Sequence, residues 1–186
     1  MNIDVRISEV GPRDGLQSVA STMSTHDKKS WIEGASKAGI PEIEVGSFVP
    51  AKLIPQLADT AELVEFARSN LPDLTVVALV PNLRGLENAI STGVHGVSIP
   101  FSISETHSQN NLRKNHSQML DEISSCLDCL SLTATDERPT FTVGLSTAFG
   151  CSMEGAVPED RVLHFAERLT EMGVDEVALS DTTGYG

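Results

Sequence analysis

Short apolar runs alternate along the chain with longer amphipathic stretches, and the spacing of apolar positions switches between the two each time. Residues 5–10 alternate and break at Gly11-Pro12, which predicts a strand closed by a turn. Residues 25–38 space their apolar positions as a helix does, with Thr25 placed to cap and Gly39 at the C-terminal glycine position. The cycle then repeats. Residues 42–45 predict a second strand, and 58–69 a helix burying Leu63, Val64 and Phe66. Residues 74–80 form a nearly continuous apolar run, expected of a strand covered on both faces. A helix over 83–91, closed by Gly93, leads to a fourth strand at 95–100. Residues 101–111 read as a polar loop, 117–132 as a helix and 140–146 as a fifth strand. A helix over 158–172 with Pro158 in its first turn precedes a sixth strand at 176–180.

About six strands and five helices in alternation predict an α/β fold with a parallel sheet. A doubly wound sheet and a (β/α)8 TIM barrel compete. A dinucleotide-binding sheet carries G-x-G-x-x-G after its first strand, whereas this turn reads Gly11-Pro12-Arg13-Asp14-Gly15 and offers no such phosphate cradle. A TIM barrel places its chemistry at the C-terminal ends of its strands, where the polar residues of this chain fall. The expectation is a TIM barrel of which this chain supplies about the first six strands and five helices, with residues 1–186 forming one catalytic-domain fragment.

Composition narrows the function. A net charge of −13 disfavours nucleic acid as a partner, because phosphates require a basic face. No window approaches the roughly 20 apolar residues of a membrane span. The first residues lack the basic and apolar regions of a signal peptide, and three cysteines are an odd count suited to a reducing compartment. A cytoplasmic location is expected.

The strand ends bring together Arg13, Asp14 and Gln17 after the first strand, then Glu44 and Ser47 at the second. Asn82 follows the third, Ser102 and Glu105 the fourth, and Ser146, Thr147, Cys151 and Glu154 the fifth. Asp181 ends the sixth. Buried carboxylates need partners. Arg13 can offset one, and a divalent cation with hard oxygen ligands could offset the excess of Asp14, Glu44 and Asp181.

The stretch Glu9-Val-Gly-Pro-Arg-Asp-Gly-Leu-Gln17 resembles the first-strand motif of the 3-hydroxy-3-methylglutaryl-CoA lyases, within the metal-dependent lyase and condensing-enzyme barrels. Related synthases carry L-R-D-G-x-Q there, so Gly11-Pro12 favours the lyase branch. Further segments agree in order: Ile43-Glu-Val-Gly-Ser-Phe-Val49, Pro55-Gln56 before Asp59, and Val80-Pro-Asn-Leu-Arg-Gly85. Ser104-Glu105 with Asn110, Gly150-Cys151 with Glu154-Gly155, and Leu179-Ser-Asp-Thr-Thr-Gly184 complete the set.

The resemblance implies Asp14 as a ligand of Mg²⁺ or Mn²⁺, and Arg13 polarising the thioester carbonyl. It implies Glu44 and Asp181 as acidic residues lining the site, with Gln17 and Ser47 against an acyl-CoA substrate. The implied reaction is cleavage of 3-hydroxy-3-methylglutaryl-CoA to acetoacetate and acetyl-CoA, in a full-length protein that forms a homo-oligomer, a dimer. The family's His-x-His metal ligands and reactive cysteine follow the sixth strand. None of the five histidines here forms such a pair, so the remaining ligands are expected beyond Gly186, with the piece inactive alone. Gly46 stands where the lyases often carry Thr, and Ser152-Met153 replace a Pro-Tyr-like pair. Another 3-hydroxy-acyl-CoA, of citramalyl type, is the alternative substrate, and a non-catalytic interaction fragment the alternative role.

Blander roles are expected elsewhere. Cys126-x-x-Cys129 lies within a helix without a second pair and reads as buried or half-exposed thiols. Cys151 reads as a packing residue, His107 and His116 as solvated or capping, and Asp121-Glu122 as a solvated helix face.

Overall fold

The structure is a computed structural model describing residues 5–186; residues 1–4, at the head of the first apolar run, lie outside the described residues. Six parallel strands form one sheet: β1 (Ser8–Glu9), β2 (Glu42–Ser47), β3 (Thr75–Leu79), β4 (Gly96–Ser102), β5 (Thr140–Ser146) and β6 (Glu176–Leu179). Their spatial order is their chain order. That decides between the two architectures. A doubly wound sheet reverses direction at a switch point, whereas right-handed crossovers that always add to the same edge put every helix on one face and curl the sheet toward a barrel.

The helices are α1 (Thr25–Lys37), α2 (Thr60–Asn70), α3 (Leu83–Ser91), α4 (Glu105–Leu112), α5 (His116–Leu132) and α6 (Glu159–Glu171). The core lies between them and the sheet. Ile43, Val45, Val76, Ala78, Val97, Ile99, Phe141 and Val143 face Ile32, Leu63, Val64, Leu86, Ile123 and Leu169, all at most 2% exposed. Strand alternation turns the intervening residues to the other face, the barrel interior. That face is largely polar or small: Glu44 on β2, Thr75 on β3, Ser98 on β4, and Thr142, Gly144 and Ser146 on β5.

Four expectations need correction. Residues 105–112 form α4 rather than loop, with Ser104 Oγ accepting the His107 amide as N-cap. The sequence Glu-Thr-His-Ser-Gln-Asn-Asn-Leu buries only Ser108, so it carries no apolar stripe to read. β1 is two residues long rather than spanning 5–10, and β4 is shifted to Gly96–Ser102. Phe66 is only half-buried; Ala67 takes the core position, and Lys29 Nζ sits 5.2 Å from the Phe66 ring centroid.

Two close approaches fix backbone near the strand ends. A Cβ on Gly11 would lie 2.6 Å from the Trp31 ring, so glycine there lets the β1 turn pack on α1. A Cβ on Gly46 would lie 2.2 Å from Thr60 Oγ1. Thr60 uses that oxygen to accept from the Ser47 amide at 2.9 Å, tying β2 to the start of α2. Beside this brace the buried Lys28 of α1 donates to Asp59 Oδ1 at 2.6 Å and to the Gln56 carbonyl at 2.5 Å.

Candidate active site at the strand ends

β1 ends in one wide turn, Gly11–Gly15, in which the Leu16 amide reaches back to the Gly11 carbonyl. Such wide turns recur at functional sites. This one carries Arg13 and Asp14 out of the sheet together. Arg13 Nε donates to Glu44 Oε2 at 2.6 Å, and its Nη1 donates to Asp14 Oδ1 at 2.7 Å. Gln17 Nε2 donates to the same Asp14 oxygen at 2.8 Å, and Ser98 Oγ donates to Glu44 Oε1 at 3.0 Å. The guanidinium is thereby held on two sides, while Nη2 has no protein partner among the described residues.

Glu44 is 4% exposed. Burial pushes its carboxyl above the ordinary carboxylate range, against the pull of the Arg13 charge and the hydrogen bonds from Arg13 and Ser98. Asp14 differs in being largely exposed, with a side chain 58% accessible, and its Oδ2 makes no hydrogen bond to the protein among the described residues.

The structure brings together Arg13, Asp14, Gln17 and Glu44. It does not bring Ser47 or Asp181 into the same hydrogen-bond network. Ser47 is buried, its backbone amide on Thr60 and its hydroxyl accepting the Val49 amide at 3.2 Å. Asp181 is exposed and folds back on its own segment, accepting the Tyr185 amide at 2.9 Å and the Gly186 amide at 3.1 Å. Those hydrogen bonds hold its carboxyl below its ordinary value.

For a divalent cation the donor chemistry is right at one place: Asp14 offers a hard, accessible carboxylate oxygen. Among the described residues, however, no three His, Cys, Asp or Glu side chains converge to hold a metal. The chain thus presents one fitting ligand rather than a full set.

The other strand ends mostly serve as caps. Asn82 Oδ1 accepts the Gly85 amide at the head of α3, and Glu154 Oε1 accepts the Thr106 amide in α4. Cys126 is buried and Cys129 half-buried, as expected for packing thiols. Burial pushes the Cys126 thiol up to about 12. Cys151 is buried, its thiol donating to Ser104 Oγ at 3.2 Å.

His107 and His116 are half-buried, with one ring nitrogen of each engaged by the protein. They converge on Ser102, one pairing Nδ1 with its hydroxyl at 2.8 Å and the other Nε2 with its carbonyl at 2.9 Å. Glu122 likewise leaves the solvated face: its Oε1 accepts the Leu83 amide at 2.7 Å and its Oε2 pairs with Lys114.

An Arg-Asp turn after the first strand, fixed by a buried glutamate from the second, is the arrangement that the first-strand motif anticipates. Comparison with known proteins agrees along the whole chain: the HMGL-like profile matches residues 4–186. The chain belongs to the HMGL-like family.

Within it, the hydroxymethylglutaryl-CoA lyase YngG of Bacillus subtilis is 40% identical over 180 residues, 97% of this chain and 58% of that protein. The 3-hydroxy-3-isohexenylglutaryl-CoA/hydroxymethylglutaryl-CoA lyase of Pseudomonas aeruginosa is 37% identical over 182 residues, 98% of this chain and 59% of that protein. A crystal structure of an HMG-CoA lyase from Acinetobacter baumannii, in complex with coenzyme A and 3-methylmalate, superposes with a TM-score of 0.90 at 31% identity. It covers 100% of this chain and 60% of that one. The chain therefore spans under two thirds of the length of these HMGL-like relatives. Their solved barrels also match the six-stranded parallel sheet described above.

Ser98 escaped the sequence reading, which looked only at strand ends. The signal was present: Ser98 alternates with the buried Val97, Ile99 and Phe101 and so faces the interior beside Glu44. Among the described residues, no helix is long and apolar enough to cross a membrane.

Proposed function

We propose that this chain forms part of a carbon–carbon lyase that cleaves 3-hydroxy-3-methylglutaryl-CoA to acetoacetate and acetyl-CoA, and that acts in the cytoplasm as a dimer. The observation that carries the reading is the Arg13 guanidinium, fixed by Glu44 and Asp14 with Nη2 left without a protein partner at the strand ends. In the cleavage the C3 hydroxyl loses its proton and C3 becomes a ketone. The C2–C3 bond breaks, and its electrons pass to the thioester, whose enolate takes a proton to become acetyl-CoA.

Negative charge thus develops on the thioester oxygen. A guanidinium held before the reaction begins stabilises that oxygen, a contribution worth roughly 3 kcal/mol per donor. Glu44 fixes the guanidinium plane through Nε, and Ser98 fixes Glu44. Gln17 holds Asp14 in place. Asp14 would hold Mg²⁺ or Mn²⁺ as one of several ligands. When bound, the ion supplies Lewis acidity that lowers the pKa of the substrate hydroxyl.

With one fitting metal ligand among the described residues, the 186-residue chain alone should turn over no thioester. The test joins it to the part of the Bacillus subtilis relative beyond the matched segment and follows acetoacetate release from 3-hydroxy-3-methylglutaryl-CoA. Release that needs a divalent metal, and is lost in Arg13→Met and Asp14→Asn, supports the reading. Undiminished release from Arg13→Met would sink it.

A second substrate class is favoured by Gly46, where the lyases often carry Thr, and by the Pseudomonas aeruginosa relative, whose name includes a longer acyl-CoA. Cleavage of another 3-hydroxy-acyl-CoA, with 3-hydroxy-3-methylglutaryl-CoA left intact, would move the assignment there.

A further inference from the structure

Among the described residues, Arg113 at φ 60° and Thr147 at φ 59° are the non-glycine positions with a left-handed backbone. Arg113 is the exposed C-cap of α4, an ordinary place for that conformation. Thr147 is different. It follows β5, is fully buried and is β-branched, so its side chain crowds the backbone in a region that glycine and asparagine enter far more readily. Such strain persists only where the surrounding contacts over-determine it, and it collects at functional positions.

Contacts on the β4 side hold it. Thr147 Oγ1 donates to the Ser146 carbonyl at 2.6 Å, accepts the Ser104 amide at 3.0 Å and pairs with Ser102 Oγ at 3.2 Å. The effect falls on the β6 side. Successive backbone groups along a strand point to opposite neighbours. The Leu145 carbonyl takes the Ser180 amide on the β6 side, and the Ser146 carbonyl takes the Ile103 amide on the β4 side. The Thr147 amide faces the β6 side in its turn, donating to Thr182 Oγ1 at 2.8 Å. In a continuing strand the Ala148 amide would return to the β4 side. The left-handed residue instead sends it to the Ser180 carbonyl at 3.3 Å.

Two consecutive amides thus grip the residues on either side of Asp181. Gly150 adds a further hold: its carbonyl accepts Thr183 Oγ1 at 2.9 Å, and a Cβ there would stand 2.6 Å from the Tyr185 ring. The exposed Asp181 carboxylate accepts the Tyr185 and Gly186 amides within the same gripped segment. We propose that Thr147 is a positioning residue, setting the Asp181 carboxylate at the end of the sheet that carries Arg13 and Asp14. The assignment rests on the lyase reading above in taking that end as the place of reaction. A residue lacking the hydroxyl would relax toward the extended backbone of β5, and the Ala148 amide would leave Ser180.

The test is amide hydrogen exchange in the 186-residue chain, comparing wild type with Thr147→Val, Thr147→Ser and Thr182→Ala. Thr147→Val keeps the branched shape and loses the hydroxyl. Its Ala148 and Tyr185 amides should exchange at least about fivefold faster, the loss of roughly one hydrogen bond. The Val80 amide, bonded to the Ser98 carbonyl between β3 and β4, should keep its wild-type rate. Thr147→Ser retains the hydroxyl and should restore both rates. Thr182→Ala removes the acceptor of the Thr147 amide from an exposed position, and should speed the same two amides even if Thr147→Val fails to fold. The carboxyl-carbon resonance of Asp181 should move in Thr147→Val and Thr182→Ala and stay in place in Thr147→Ser.

Wild-type exchange at Ala148 and Tyr185 in a folded Thr147→Val and in Thr182→Ala, or the same acceleration at Val80, overturns the inference and leaves the lyase reading standing. Asp181→Asn in the joined protein described above checks the other half. Full turnover there overturns a role for the frame in the reaction, whatever exchange shows. A joined wild type that cleaves no acyl-CoA sinks the lyase reading itself, and Thr147 then holds Asp181 without serving that chemistry.

Discussion

Glu44 illustrates how one residue ties stability to the candidate chemistry. It is buried on the interior face with Arg13 as its cationic partner, and removing one member of such a pair leaves an uncompensated charge, at a cost of about 3 kcal/mol. Arg13→Met should therefore lower stability at neutral pH by about that much, and by less in acid, where Glu44 protonates. Urea midpoints across pH would show it, and an equal loss at every pH would contradict it. In the wild type the raised folded-state value means that the native chain keeps the Glu44 proton over an interval in which the unfolded chain has released it. Stability contributed by this group should be fully present below the ordinary glutamate value and decline as pH rises through the folded value. Glu44→Gln should erase that decline. Arg13, Asp14 and Glu44 were legible because charged side chains in a Gly-Pro turn and on an apolar strand demand partners. Ser98 and the Ser102–histidine contacts were not, because a short hydroxyl side chain on a strand carries no comparable energetic signature in sequence.

Between elements, the informative contacts are caps and braces that cross from one βα unit to the next. Glu122 of α5 closes the head of α3, and its burial, which alone would raise its carboxyl, is outweighed by hydrogen bonds from Lys114 and the Leu83 amide that hold it below the usual value. Its contribution should be present above the ordinary carboxylate value and lost as pH falls through the lower folded one. Glu122→Ala should cost about 1–2 kcal/mol at neutral pH, with the difference from wild type shrinking in acid. At Gly46 the crowding is steric. Gly46→Ala should destabilise by about 1–3 kcal/mol, and Gly46→Ala with Thr60→Ala by less than the sum of the singles in a thermal denaturation cycle. Helices with an apolar stripe, such as α2 and α6, were readable from spacing alone. α4 was not, because its formation rests on the Ser104 cap and on neighbours rather than on a buried face of its own.

For the molecule as a whole, the regular alternation of strand and helix announced a parallel α/β fold, while strand order could be settled only by the pairing itself. Among the described residues β1 and β6 are the outer strands, and the chain beside them exposes Val5 at 75%, Ile7 at 61% and Leu179 at 55%. Open edges with apolar flanks pair with other chains. Concentration-dependent association is expected in sedimentation velocity, reduced by Ile7→Lys; a monomer at every concentration would count against sticky edges. Because spatial order follows chain order, each strand emerging from the ribosome meets a neighbour already made. The Arg13–Glu44–Ser98 contacts can close once β4 has been made, on the order of ten seconds after Arg13 at ordinary synthesis rates. The buried charge pair can then be neutralised during translation, before β5 exists.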